Sequence, residues 1–359
     1  MDTALPWLSP KDLVESATDP LDLSPEGHPV APLAFVDLDQ CGGSDTPVAA
    51  VAAAASAAQR VLVGVSHGSV PASLSPLLDA LTFTLVPRRN EGKPRNRVAV
   101  DDPSTTAAAI AAYAQASPRA AVTLVGLLRL TEQLSVPDGL VAESLAYSML
   151  LAGPEFADWR TRRPGAGSAD AGLDLDLGEE PVLLSREGSV LRITLNRPRR
   201  HNAFSREVRD GLVEALDLVH LDPTIAHVEL AGRGPSYCSG GDLNEFGTAP
   251  DVAVAHLIRL RQSAGHAVHR CAERVRVRLH GACIGAGIEI PAFAGRVEAR
   301  DDAYFQLPEL RMGLVPGAGG TVSVTRRIGR WRTAYLVLSG APVDASTALR
   351  WGLVDCVDH

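Results

Sequence analysis

Lysine is nearly missing from this 359-residue chain: only Lys11 and Lys93 occur, and the other basic positions are arginine. With so much alanine, that usage marks nucleotide-composition bias rather than function. Positive charge is short overall, with 34 Lys and Arg against 42 Asp and Glu and a net charge of −8. No broad basic surface follows, and nucleic acid is not an expected partner. Cysteine is sparse. Cys41, Cys238, Cys271, Cys283 and Cys356 form no C-x-x-C pair, which argues against a zinc site or a disulfide framework and for a reducing, cytoplasmic setting. No metal is expected. No apolar run is long enough to span a bilayer. The start, Met1-Asp2-Thr3-Ala4-Leu5-Pro6-Trp7, lacks a basic segment followed by an apolar one, so neither a signal peptide nor a membrane partner is expected. Aromatic residues make up only 4%, which does not exclude a ring-bearing ligand.

What is present is a globular composition, 46% hydrophobic, with room for two domains. Residues 1–30, rich in Pro and Asp, are read as a loosely packed lead-in with a short helix at 10–16. In 31–164, strands are predicted at 33–38, 61–65 and 81–86, with helices at 48–58 and 71–80. A basic surface loop is predicted at 87–96. Helices follow at 105–115, 118–134 and 140–151, with Val136-Pro137-Asp138-Gly139 read as a break. Residues 165–180, rich in Gly, Ala and Asp without periodicity, are read as a flexible linker. In 181–359, strands at 182–185 and 190–195 flank Glu187-Gly188 as a hairpin. A helix over 205–220 carries its apolar face on Val208, Leu212, Leu216 and Val219, with Ser205 as N-cap. A strand at 227–231, a helix over 252–270, a strand at 274–279 and a helix from Ala286 to 294 complete an α/β layered pattern.

The richest chemistry lies in 280–321. Glu289 and Glu309 each sit in an apolar, glycine-rich setting. Burial raises a carboxyl pKa, and two such groups on one cavity can divide acid and base work. The glycines around Glu289 would let main-chain N–H groups reach a ligand, as an oxyanion hole requires. Bland readings stand beside these. Glu289 can be a half-buried helix residue in a salt bridge, and Glu309 can be exposed in its loop. Cys238 and Cys283 read as small core residues, and Asp242 as a turn or capping residue. Pro316-Gly317-Ala318-Gly319-Gly320 reads as a tight turn before a helix rather than a phosphate cradle, since it lacks the Lys-Ser/Thr ending. Gly64-Val65-Ser66-His67-Gly68 fits the G-x-S-x-G elbow of serine hydrolases, but the next histidine is His201. A simple strand-to-helix turn is the preferred reading there.

Taken together, Ile193-Thr194-Leu195-Asn196-Arg197-Pro198, His201-Asn202-Ala203, Tyr237-Cys238-Ser239-Gly240-Gly241-Asp242-Leu243, His280 to Glu289, Phe305 to Thr321, Gly340 and Gly352-Leu353-Val354 resemble, in order and spacing, the crotonase or enoyl-CoA hydratase/isomerase family. The resemblance runs from about Leu184 onward. It implies a crotonase-like ββα spiral domain and an oxyanion hole formed by the main-chain N–H groups of Gly241 and Ala286. It also implies coenzyme A contacts near Arg197, Arg199, Asp242 and Leu243. Glu289 would activate water and Glu309 would deliver a proton, adding water across the C2–C3 double bond of a 2-enoyl-CoA. The cofactor expectation is none, coenzyme A being part of the acyl-CoA substrate. Double-bond isomerisation or other thioester-enolate chemistry is the alternative within the family. An inactive CoA-binding or assembly subunit is the alternative outside it.

The chain departs from the family in one respect. A usual member continues past the Gly-Leu-Val segment into helices that build a trimer and cover the coenzyme A site, whereas His359 follows almost at once. Residues 107–163 resemble that helical segment. The expectation is therefore a degenerate, non-catalytic crotonase-like α/β unit over 31–164, ending in helices that replace the missing tail of the catalytic domain over 181–359. That replacement could act within the chain or from a neighbour, in a homo-oligomer such as a trimer or hexamer.

Overall fold

The computed structural model of the chain describes residues 5–16, 21–41, 45–90, 92, 94–163, 180–249 and 251–358. The expected linker falls outside them except for Glu180. The first half holds a five-stranded, all-parallel sheet in sequential order: Trp7–Leu8, Leu33–Asp37, Val61–Val65, Phe83–Pro87 and Arg97–Val100. Parallel neighbours need crossovers, and such sheets are covered on both faces. The alternation of side chains sorts the two faces. Ala34, Val36 and Leu62 pack with Leu13, Val51, Ala55, Leu74 and Leu77 from the short helices. Phe35, Val63, Val65, Phe83 and Leu85 pack with Ile110, Ala114, Leu124 and Val125 from the later helices.

Two of these strands depart from the sequence reading. Trp7–Leu8 comes from the presumed lead-in, whose Leu13 is also buried. Arg97–Val100 lies next to the basic loop and was not foreseen as a strand. Four helices follow, Pro103–Ala116, Pro118–Thr131, Val136–Leu151 and Pro154–Arg162, each with proline in its first turn, where the missing N–H has no intrahelical partner to lose. Val136-Pro137-Asp138-Gly139 is therefore a helix start and not a break: the Ser135 hydroxyl accepts from the Asp138 N–H at 3.3 Å.

The second half is built on a six-stranded sheet in the order Cys356–Asp358, Arg296–Arg300, Val275–Leu279, His227–Gly232, Val190–Leu195, Val182–Glu187. Only the hairpin at Gly188 is antiparallel. The Arg206–Leu221 helix buries Val208, Leu212, Leu216 and Val219 as read, with Ser205 capping it. A three-stranded sheet, Ala282–Ile284, Tyr304–Gln306 and Val343–Asp344, carries the loops of interest. Two predicted helices are shorter than expected. Residues 252–270 form two helices, Val252–Arg261 and Ala264–Arg270, because Ser263 accepts from the His266 N–H and caps a new start. The helix from Ala286 ends at Glu289 and gives way to a tighter turn at Pro291–Phe293, where the proline nitrogen has no hydrogen to donate.

The halves share one core. The Gly320–Ser339 helix, kinked at Gly329 (φ +82°), lies against the first half within the same chain. Thr131 donates to the buried Thr321 carbonyl at 2.8 Å, and Arg326 donates to Leu134 O at 2.6 Å. The rings of Phe83 and Tyr335 meet edge to face at 5.8 Å. Gly139 allows a close approach: a Cβ there would sit 2.9 Å from Val322 Cγ2. Among the described residues no helix is long and apolar enough to cross a membrane.

Two glycines in neighbouring helices should respond oppositely. Gly126 faces open space in a helix interior, so Gly126→Ala should stabilise by about 0.5–1 kcal/mol. Gly139→Val should destabilise by about 1–3 kcal/mol through overpacking against Val322. Denaturant unfolding of the two variants checks both signs.

Candidate active site

Glu289 and Glu309 are brought together. Both are almost fully buried (2% and 6% exposed), which removes the reading of Glu309 as a surface residue. A Cβ at Gly285 would lie 2.8 Å from Glu309 Oε1 and 3.7 Å from Glu289 Oε1, so the two carboxylates flank the same point. Gly285 has φ +51° and serves as the N-cap residue of the helical turn carrying Glu289. Only a residue without a Cβ keeps both that backbone and that space.

The two glutamates are held differently. Glu289 Oε2 accepts from the N–H groups of Ala318 (2.8 Å) and Gly320 (2.9 Å). Glu309 Oε2 is buried with no hydrogen-bond partner. Burial raises both carboxyls. The two N–H bonds oppose the rise for Glu289, whereas the neighbouring Glu289 charge adds to it for Glu309, which lies well above the ordinary range. Glu289 is the carboxyl better able to carry a charge, and Glu309 the one better able to keep a proton.

A third buried carboxylate was not anticipated. Glu143, from the Val136–Leu151 helix, accepts from Gly319 N (2.7 Å) with one oxygen and from Thr321 N (2.9 Å) and Thr321 Oγ1 (2.7 Å) with the other. The stretch read as a tight turn therefore does cradle anions, but they are the protein's own side chains. A sequence signal existed. Val136, Leu140, Glu143 and Tyr147 recur at helical spacing, so Glu143 stands where an apolar stripe calls for an apolar residue. Burial, then the Glu289 charge, raise its carboxyl.

The two glycine loops lie side by side. The backbone of Cys238 pairs with Ala282 and Ile284 (Cys238 N to Ala282 O at 3.1 Å, Ile284 N to Cys238 O at 3.0 Å), which brings Gly240–Gly241 beside Gly285–Ala286. Gly241 and Ala286 line one cavity of about 1370 Å³ together with both glutamates. Among the described residues neither of their N–H groups donates to a protein acceptor. Two main-chain N–H groups without a protein acceptor thus belong to residues that line the cavity holding both carboxyls, the type of donor a developing oxyanion requires.

The first half walls the same cavity. Tyr147, Leu151, Phe156 and Trp159 line it, and the loop after Asp242 is tied to that wall by Arg160 to Gly247 O (3.0 Å) and Arg163 to Leu243 O (2.5 Å) and Asn244 Oδ1 (3.1 Å). Asp242 and Leu243 line the cavity, but Arg197 and Arg199 do not. Arg197 donates to Ala203 O at 3.0 Å and pairs with Asp242 at 3.4 Å, so its guanidinium braces the loop. Asp242 is also a turn residue, accepting from Asn244 N at 3.2 Å. Ser66 is buried and donates to Asp39 Oδ1 at 2.6 Å, while the His67 ring contacts Ser104 at 3.3 Å. With no imidazole at its hydroxyl, the hydrolase elbow is a structural turn. Burial pushes the Cys238 thiol up to about 12 and Cys283 well above its ordinary value, as inert core cysteines require. No metal-ligating cluster occurs among the described residues.

A model of the enoyl-CoA hydratase/isomerase family matches residues 185–359. The chain is 33% identical over 176 residues to a 2,3-dehydroadipyl-CoA hydratase of Escherichia coli (strain K12), covering 49% of this chain and 68% of that protein. It is 33% identical over 180 residues to a 1,2-epoxyphenylacetyl-CoA isomerase of the same organism, covering 49% and 68%. A solved enoyl-CoA hydratase from Thermoplasma volcanium GSS1 is 30% identical, with 51% of this chain and 74% of that one covered, at a TM-score of 0.47.

The buried state of Glu309 predicts a pH signature in stability. Its carboxyl is raised in the folded chain above the ordinary 4.5. The folded state therefore favours the protonated form, and its stabilisation is complete below about 4.5 and lost as the pH rises toward the folded value. Glu309→Gln, neutral throughout, should gain melting temperature relative to wild type as the pH climbs from about 5 to 8. A difference constant across that range would contradict the assignment.

Proposed function

The chain belongs to the enoyl-CoA hydratase/isomerase family of enzymes, which act on acyl-CoA thioesters, and we propose that within it the protein is a 2-enoyl-CoA hydratase. The observation that carries this reading is the pair of unlike carboxyls facing one point across Gly285. Glu289, with Oε2 fixed by two N–H groups, acts as the base and takes a proton from water as its oxygen attacks C3. Electron density moves through the double bond into the thioester carbonyl. The Gly241 and Ala286 N–H groups hold the resulting enolate oxygen, each worth about 3 kcal/mol of barrier. Glu309 then delivers a proton to C2 from a carboxyl that burial keeps protonated. Hydrogen, oxygen and charge balance: one water is consumed and one 3-hydroxyacyl-CoA is formed. Coenzyme A enters with the substrate, and no other cofactor has a part in this scheme.

A double-bond isomerase would instead pass through a dienolate, formed when a base removes a C2 proton from a 3-enoyl-CoA, and would return a proton at C4 with no water added. Two separate carboxyls, one suited to accept a proton and one to give it, favour addition of water. Mixed with crotonyl-CoA, the wild type should bleach the enoyl-thioester absorbance. Glu289→Gln and Glu309→Gln should each lower kcat by about 10²–10⁴-fold with little change in KM. Turnover that survives both substitutions, or no turnover of several 2-enoyl-CoAs, would overturn the reading.

A further inference from the structure

Arg259, on the Val252–Arg261 helix, lines the main cavity and also a smaller one of about 70 Å³ behind it. Its guanidinium is fixed from one side. Nε donates to Ser144 Oγ at 3.0 Å, and Nη2 donates to Ser144 O at 3.3 Å and to Ser148 Oγ. The group lies 4.8 Å over the Tyr147 ring. All of these partners are neutral, and Nη1 has no protein acceptor among the described residues.

The neighbouring acid makes no direct pair with it. Glu143 is close enough to favour the positive charge, but both of its oxygens are occupied by Gly319 and Thr321. Four of the other five cavity arginines are engaged elsewhere: Arg311 lies 5.0 Å over the Tyr113 ring and donates to Gly340 O at 3.4 Å. Arg209 pairs with Asp210 at 2.7 Å, and Arg160 and Arg163 bond the carbonyls of the 243–247 loop. Arg259 instead stands at the glutamate end, since the Tyr147 ring beneath it abuts Gly317, next to the Ala318 N–H that holds Glu289.

A guanidinium stays charged in any protein setting. Here burial penalises that charge, and Glu143 favours it only through space, with no ion pair to Arg259 among the described residues. An acyl chain ending in a methyl group would press against this cation and desolvate it further without a return. A chain ending in a carboxylate would place an oxygen on Nη1 in a charge-assisted bond. We propose that Arg259 is a specificity residue that receives a carboxylate at the far end of the acyl chain, so that the preferred substrates are CoA thioesters of dicarboxylic acids.

The inference rests on the acyl-CoA reading of the site, so its test reads binding without turnover. Calorimetric titration would compare free coenzyme A, hexanoyl-CoA and adipyl-CoA, whose six-carbon acyl chain ends in a carboxylate. The wild type should bind adipyl-CoA about 10-fold or more tightly than hexanoyl-CoA, a tenfold ratio being 1.4 kcal/mol. Arg259→Met should remove or reverse that preference, and Arg259→Lys should keep part of it. Equal or tighter binding of hexanoyl-CoA by the wild type overturns the proposal, with no reliance on how the variants fold. So does an Arg259→Met variant that weakens all three ligands alike, which would assign the guanidinium to the coenzyme end. A protein that binds adipyl-CoA selectively but hydrates no enoyl-CoA keeps this inference and loses the hydratase reading. One that hydrates crotonyl-CoA without the preference does the reverse.

Discussion

The four N–H groups from Ala318 to Thr321 form the joint on which the rest depends. They open the Gly320–Ser339 helix, where backbone donors have no intrahelical acceptor and the helix dipole favours negative charge. Two carboxylates divide them alternately: Ala318 and Gly320 go to Glu289, Gly319 and Thr321 to Glu143. One carboxylate comes from each half of the chain. If Glu143 were removed, buried donors would lose their acceptors at a cost of about 1–3 kcal/mol each. The element that orients the candidate base is thus itself held by a helix from the other half.

The site's asymmetry follows from this joint. Glu289 has its acceptor needs met on one oxygen and turns the other toward Gly285. Glu309 has a buried oxygen with no partner and two nearby carboxyls, Glu289 and Glu143, opposing its ionisation. Burial raises all three carboxyls, and N–H bonds oppose that rise at Glu289 and Glu143, whereas one Glu309 oxygen has no partner. A base and an acid arise from one residue type because the backbone donors reach only some of the three. The wall from the first half, with Tyr147, Phe156 and Trp159, encloses the cavity where those electrostatics operate.

Much of this was legible in the sequence, for identifiable reasons. Buried parallel strands such as Val61–Val65 announce themselves as β-branched runs, and the paired glutamates stand out from the glycines that make room for them. Trp7–Leu8 and Arg97–Val100 did not, since a two-residue edge strand has no period and the short run Arg97-Val98-Ala99-Val100 directly after a basic, proline-bearing loop reads as its continuation. Proline at 137 looked like a breaker because the same residue that ends a helix also suits its first turn. The pairing of Arg197 with Asp242, 45 residues apart, is one that only the fold creates. Glu143 and Arg259 were missed for the same reason. Each is an ordinary charged residue on a helix until the halves meet.

Product analysis after turnover of crotonyl-CoA in D2O tests the central claim, water addition through an enolate protonated at C2, most directly. The predicted product is a 3-hydroxyacyl-CoA carrying one deuterium at C2. A 3-enoyl-CoA carrying deuterium at C2, with no hydroxylated product, would contradict it.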